Sequence, residues 1–89
     1  TYELPEGELS VGRASGNDLC LPWEQISRFH ATLVREDHHV QVTDLDSTNG
    51  TTVNGKKISA NHPVSCNTGD QIGFADKIFE VTTQGHIRD

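Results

Sequence analysis

Three short segments of this 89-residue chain gather side chains able to do chemistry. "VGRASGND", residues 11–18, sets Arg13 directly after Gly12 at what reads as a strand exit, where a guanidinium projects from the end of a layer. "ISRFHATL", residues 26–33, packs Ser27, Arg28 and His30 together just ahead of a strand-like run. "DLDSTNGTTVNGKKI", residues 44–58, carries two Asn-Gly pairs, Asn49-Gly50 and Asn54-Gly55. The serine and histidine invite a hydrolase reading. No G-x-S-x-G elbow, no helix behind the serine and no oxyanion-hole pattern support it. A metal centre lacks ligand spacing: His30 has no partner, and adjacent His38 and His39 would face opposite sides of a strand. The chain therefore reads as a non-enzyme with no metal site and no cofactor. His30 suits a structural role, its two ring nitrogens holding neighbouring backbone groups.

The two Asn-Gly pairs are not equivalent. Asn54-Gly55 fits a two-residue type I′ hairpin turn joining Thr51–Val53 to Lys56–Ile58. A second closed turn at Asn49-Gly50 would leave only a very short strand between the two. Asp44, Asp46, Ser47 and Thr48 precede it, and these types favour loops with local side-chain hydrogen bonds. Asn49-Gly50 is accordingly expected in a loop with free polar side chains.

The elements that position these segments read as strands throughout. No stretch of ten residues shows the i, i+3, i+4, i+7 apolar spacing of a helix. The expected strands are Thr1–Leu4, Glu8–Gly12, Leu19–Leu21, Ala31–Arg35, His39–Asp44, Thr52–Val53, Lys56–Ile58, Pro63–Cys66, Asp70–Phe74 and Lys77–Thr83. That spacing implies an all-β fold, a two-sheet β-sandwich of about ten to eleven short strands. In "HVQVTDL", Val40 and Val42 share the core face. Continuing the alternation would turn Asp44 inward and Leu45 outward, so the strand is expected to end or bulge at Asp44. Phe79 and Val81 are the core side of the last strand, with Ile78 covered near an edge. Residues 1–83 are expected to form the domain, and 84–89 a polar tail leaving it.

Composition narrows the classes further. One short domain buries roughly 60–65% of its unfolded surface, enough for a modest core. No apolar run is long enough to span a membrane. The net charge of −6 argues against a nucleic-acid backbone as partner, though it leaves room for one phosphate in a locally positive site. Cys20 and Cys66 are too few for a disulfide framework and read as two buried free thiols. The start "TYELPEGELS" has no signal-peptide pattern and no Met. An intracellular, cytoplasmic domain of a longer protein is the expectation.

Taken in order, "GR" at 12–13, "SRFH" at 27–30, "STNGTTVNG" at 47–55 and "GD" at 69–70 followed by "QIGF" resemble the forkhead-associated (FHA) domain, from about residue 2 to residue 83. The resemblance implies a β-sandwich that binds phosphothreonine-containing segments of partner proteins through loops at one end, with no catalytic activity. Residue by residue, it assigns phosphate binding to Arg13, Ser27, Arg28 and Thr48, and the ligand main chain to Asn49. Gly12 and His30 match positions that shape the loops, and Gly50, Asn54 and Gly55 belong to the same loop architecture. The implied partner is a phosphothreonine segment made by an upstream Ser/Thr kinase, with neither nucleic acid nor membrane insertion involved.

The residue chemistry is consistent with that assignment. A phosphothreonine carries about −1.5 to −2 charge at pH 7 and three acceptor oxygens. Arginine offers a planar fork of donors, and the hydroxyls of Ser27 and Thr48 add rotatable ones. The amide of Asn49 can pair with both peptide N–H and C=O. Selectivity for flanking residues is expected from Trp23–Ile26, Leu45–Ser47 and Ala75–Lys77, with Gln25 and Asp76 making polar contacts. The alternative is a phosphate-independent scaffold that docks partners through sheet surfaces or edges.

Overall fold

Alternating apolar residues drive these short runs to pair and bury one face each, and the computed structural model, which describes all 89 residues, shows the result. Ten strands form: β1 (Gly7–Gly12), β2 (Leu19–Cys20), β3 (Ala31–Glu36), β4 (His39–Asp44), β5 (Thr51–Val53), β6 (Lys56–Lys57), β7 (Val64–Cys66), β8 (Gln71–Phe74), β9 (Lys77–Val81) and β10 (Ile87–Arg88). They make two five-stranded sheets, ordered β2-β1-β3-β4-β7 and β10-β9-β8-β5-β6. The chain is a two-sheet β-sandwich, all antiparallel apart from the short β1–β2 pair. No helix is long and apolar enough to cross a membrane.

The core lies between the sheets. Leu9, Val11, Ala31, Leu33, Val40 and Val42 face it from the first sheet, and Ile72, Phe74, Phe79, Val81 and Ile87 from the second. Phe74 and Phe79 pack with ring centroids 5.8 Å apart, within the range where aromatic pairs attract beyond simple burial. Ile78 is not covered as expected but 47% exposed. It pairs with Gly73, and its Cδ1 lies over the space where a Gly73 Cβ would stand.

Four other expectations need correction. Residues 84–89 are not a tail: Ile87 is fully buried in β10, which pairs with β9. One buried isoleucine flanked by polar residues gives no periodic signal, so the strand was invisible to pattern reading. Thr1–Leu4 forms no strand; only Tyr2 bridges, to Ile87, while the backbone N–H of Leu4 donates to His86 Nδ1. Arg35 ties this end together, donating to the carbonyls of Leu4, Asp37 and Gln84. Of the two free thiols Cys66 is buried, whereas Cys20 is exposed on the two-residue edge strand β2. His38 sits in the β3–β4 turn rather than on a strand beside His39.

The expected end of β4 is at Asp44, but the carboxylate does point inward and is 3% exposed. Its Oδ1 accepts from Thr51 Oγ1 at 2.7 Å and Ser47 Oγ at 2.5 Å, and its Oδ2 from Ser47 N at 3.3 Å. A buried polar group is tolerated where its hydrogen bonds are made. Asp44 is thus the anchor of the loop that follows it, and Leu45 is left on the surface.

Candidate functional site

Two loops meet at one end of the sandwich. One runs from Leu21 into β3, the other from β4 into β5. Contacts between them run antiparallel. Asn49 Nδ2 donates to Gln25 O at 2.8 Å, Thr48 N donates to Ser27 Oγ at 3.0 Å, and Leu45 N donates to His30 O at 3.0 Å. The β1–β2 connection joins them from the side: Arg13 N donates to Ser27 O, and Arg13 Nε donates to Ile26 O at 3.1 Å. Arg13, Ser27, Thr48 and Asn49 therefore lie in one cluster, from three loops far apart in sequence.

His30 holds the cluster from beneath. The ring is fully buried and stands edge-on to Phe74. Its Nδ1 accepts from the Ser27 backbone N–H at 3.1 Å, which requires an unprotonated Nδ1 and places the proton on Nε2. Nε2–H then donates to Gly50 O at 2.9 Å. Gly50 N in turn donates to Ser47 Oγ, which bonds Asp44. One continuous chain of bonds thus runs from Asp44 through Ser47, Gly50 and His30 to Ser27, and from Ser27 Oγ to Thr48. The structural role expected of His30 is visible here, although no spacing in the sequence shows its partners.

Gly12 works by absence of a side chain. A Cβ built on it would stand 2.1 Å from Arg28 O and 2.8 Å from Asn17 Nδ2, so only glycine lets these backbones meet. Asn17 is a residue that sequence reading missed. It is 8% exposed, and its Nδ2 donates to both Ala14 O and Arg28 O, fastening the Arg13 loop to the Ser27 loop. Its signal was the "GND" turn, which also reads as ordinary solvated loop.

The hydrogen-bond inventory shows what is left to meet a ligand. Arg13 commits only Nε, and its two terminal nitrogens have no protein partner. Ser27 Oγ accepts from Thr48, so its own O–H proton remains available. The Thr48 hydroxyl and the exposed Arg28 guanidinium have no protein partner. Asn49 is not as free as expected: one amide N–H holds Gln25 O, leaving Oδ1 and the second N–H. The set is exposed and cationic with several neutral donors, so it suits a compact anion.

Beside it lies an open cavity of about 340 Å³ lined by Gln25, Asn49, Ala75 and Asp76. Lys77 flanks this edge, its Nζ 5.2 Å from the Trp23 ring centroid and 3.9 Å from Asp76 Oδ1. Of the segments expected to read flanking residues, Trp23–Ile26 and Ala75–Lys77 are brought together here. Asp46 and Ser47 instead line a separate cavity with Lys57 and Ile58. No three His, Cys, Asp or Glu side chains converge to hold a metal.

Asn54 and Gly55 have φ of 51° and 82°, the left-handed values a type I′ turn requires. Asn54 also has a side-chain role that the turn reading did not foresee. Its Nδ2 donates to Asp70 Oδ1 at 3.2 Å, and its Oδ1 accepts from Gln71 N at 2.9 Å. The backbone N–H of Asn67 on Asp70 Oδ2, together with Asn54, holds the Asp70 carboxyl below the usual carboxylate range.

Comparison with known proteins follows the same lines. The model of the FHA domain family matches residues 9–75. An ABC transporter ATP-binding/permease protein of Mycobacterium tuberculosis, Rv1747, is 45% identical over 81 residues, covering 89% of this chain and 9% of the transporter. The chain thus spans about a tenth of that relative's length. A domain solved in a study of phosphothreonine-dependent FHA domain interactions superposes with a TM-score of 0.80 at 31% identity, over 91% of this chain and 81% of that one. EmbR of M. tuberculosis, solved with a low-affinity phosphopeptide, gives 0.82 at 30% identity over 99% of this chain and 23% of EmbR.

Proposed function

The chain belongs to the FHA domain family, whose members are phosphothreonine-recognition modules, and from that premise we propose how its loops read the modified residue. The phosphate sits where the free terminal nitrogens of Arg13 meet the Ser27 hydroxyl, with Thr48 and Arg28 completing its donors. Asn49, braced on Gln25 O, holds the ligand main chain with its remaining amide groups. Gly12, His30 and Gly50 keep the loops in place, and Asn54-Gly55 sets the hairpin behind them. On this reading the module acts by binding alone, as an interaction module. It works as an intracellular adaptor within a longer protein, downstream of a Ser/Thr kinase. Residues 1–89 form one unit that includes the C-terminal strand.

The observation that carries this reading is the convergence of Arg13, Ser27 and Thr48 with their outward donors unspent. Arg13→Ala tests it. Because the side chain is exposed and gives up only the Nε bond to Ile26 O, the variant should fold with stability lowered by no more than about 1 kcal/mol, and affinity for a phosphothreonine peptide from a degenerate library should fall at least about 100-fold, as for loss of a charge-assisted pair. The unphosphorylated peptide should not bind the parent. Equal binding by the variant would transfer the module to the phosphate-independent scaffold class.

A further inference from the structure

We propose that Phe29 and Leu45 form an apolar contact for a side chain of the phosphorylated segment, on the far side of the phosphate from the Gln25–Asp76 cavity; this rests on the phosphothreonine reading above. Three large hydrophobic side chains are exposed in the whole protein: Phe29 at 58%, Leu45 at 37% and Ile78 at 47%. Ile78 has a structural use, since it lies over Gly73. Phe29 and Leu45 are neither in the core nor among the partly buried residues packed on it. Both adjoin the loop cluster in the chain: Phe29 directly follows Arg28, and Leu45 directly follows the anchoring Asp44, with its N–H donating to His30 O.

The antiparallel match of the two loops orders the contacts. Gln25 meets Asn49 at one end, Ser27 meets Thr48 in the middle, and His30 meets Leu45 at the other. Phe29, adjacent to His30, therefore shares the end that Leu45 occupies. A segment held by its phosphate at Ser27 and by its main chain at Asn49 extends one way over Gln25, Ala75 and Asp76. Extended the other way, it runs toward the end of the loop pair where Leu45 meets His30 and Phe29 is exposed. Two side chains offer far less than the roughly 800 Å² per partner of a stable interface between folded proteins. One apolar side chain of the bound segment is the occupant that fits, since desolvation of both sides favours the contact.

The test uses degenerate phosphothreonine peptides with one position fixed as Leu or Ser, walked along both sides of the phosphothreonine and titrated calorimetrically. On one side only, Leu should bind about tenfold better than Ser, the scale of a small apolar contact. The Phe29→Ser, Leu45→Ser double variant should lose that preference while binding the Ser-fixed peptide as the parent does, which also shows that it folds. A phosphate-dependent but flat scan, or a preference that survives the double variant, overturns the contact and leaves the phosphothreonine reading standing. Binding that ignores phosphorylation overturns both. Sedimentation of the free protein completes the test: a dimer that the double variant dissolves would make a second copy the occupant and overturn the proposal.

Discussion

Asn49 and Asn54 share a residue type and a following glycine, yet the structure gives their amides different tasks. Asn49 braces its loop on Gln25 O, and Asn54 clasps Asp70 and Gln71 across the β5–β8 pair. Asn49→Ala should cost phosphopeptide affinity heavily while lowering stability by about 1 kcal/mol, the scale of one exposed hydrogen bond. Asn54→Gly keeps the turn dihedrals but removes the clasp. It should leave affinity almost unchanged, and the Asp70 carboxyl, followed by NMR titration, should move up towards its ordinary value. An unshifted Asp70 in Asn54→Gly would refute the clasp. The thiols separate in the same way. Burial, with the negative charge of Asp70 adding to it, pushes the Cys66 thiol up to about 11. At pH 8 an aromatic disulfide reagent should therefore titrate one thiol per native chain, Cys20, and the second only after denaturation.

At the scale of elements, the proposed site depends on strands that supply none of its free donors. The β4 end buries Asp44, the β5 start supplies Thr51, and the hydrogen bonds between them fix where Ser47 and Gly50 stand. The opposite end depends on β10. Ile87 fills the core from a two-residue strand, and Gly85 allows the Asp37 carbonyl to approach within 2.3 Å of where its Cβ would be. Ile87→Ala should destabilise the domain by about 2–5 kcal/mol, as for other large-to-small changes in a packed interior, with phosphopeptide affinity of the folded fraction retained. Denaturant unfolding would measure it, and a change below about 0.5 kcal/mol would mean that these residues leave the domain after all.

At the scale of the molecule, a net charge of −6 and a small cluster of arginines act together. On the proposed reading, the acidic surface disfavours polyanions, while the donors of the cluster serve one dianion locally. Binding should therefore weaken as pH falls through about 6, where the phosphate takes its second proton. The Asp70 contribution to stability should not follow in that range. The Asp70 carboxyl is depressed in the folded state, so its contribution is fully present above its unfolded value, near 4, and is lost only as pH falls below that through the folded value. Calorimetric binding at pH 7.5 and 5.5, beside thermal unfolding at the same two values, separates the limbs. Equal affinity at both would contradict a site that reads a dianion.

The sandwich class, most strand positions and the FHA signature were legible in the chain alone, because period-2 alternation and turn residues are local properties. The sequence also singled out Arg13, Ser27 and Asn49, whose types and order are written in the chain. Only tertiary structure decided which atoms are free. That Arg13 spends Nε and keeps its fork, that Ser27 accepts from Thr48, and that His30 must carry its proton on Nε2 follow from contacts that bring three separate loops together. The same holds for Asn17 beneath the loops, Asp44 turned inward and Ile87 in the core. Asn17 and Ile87 have no periodic neighbours, and Asp44, though in step with Val40 and Val42, is a carboxylate whose partners Ser47 and Thr51 reach it only once the loop has packed.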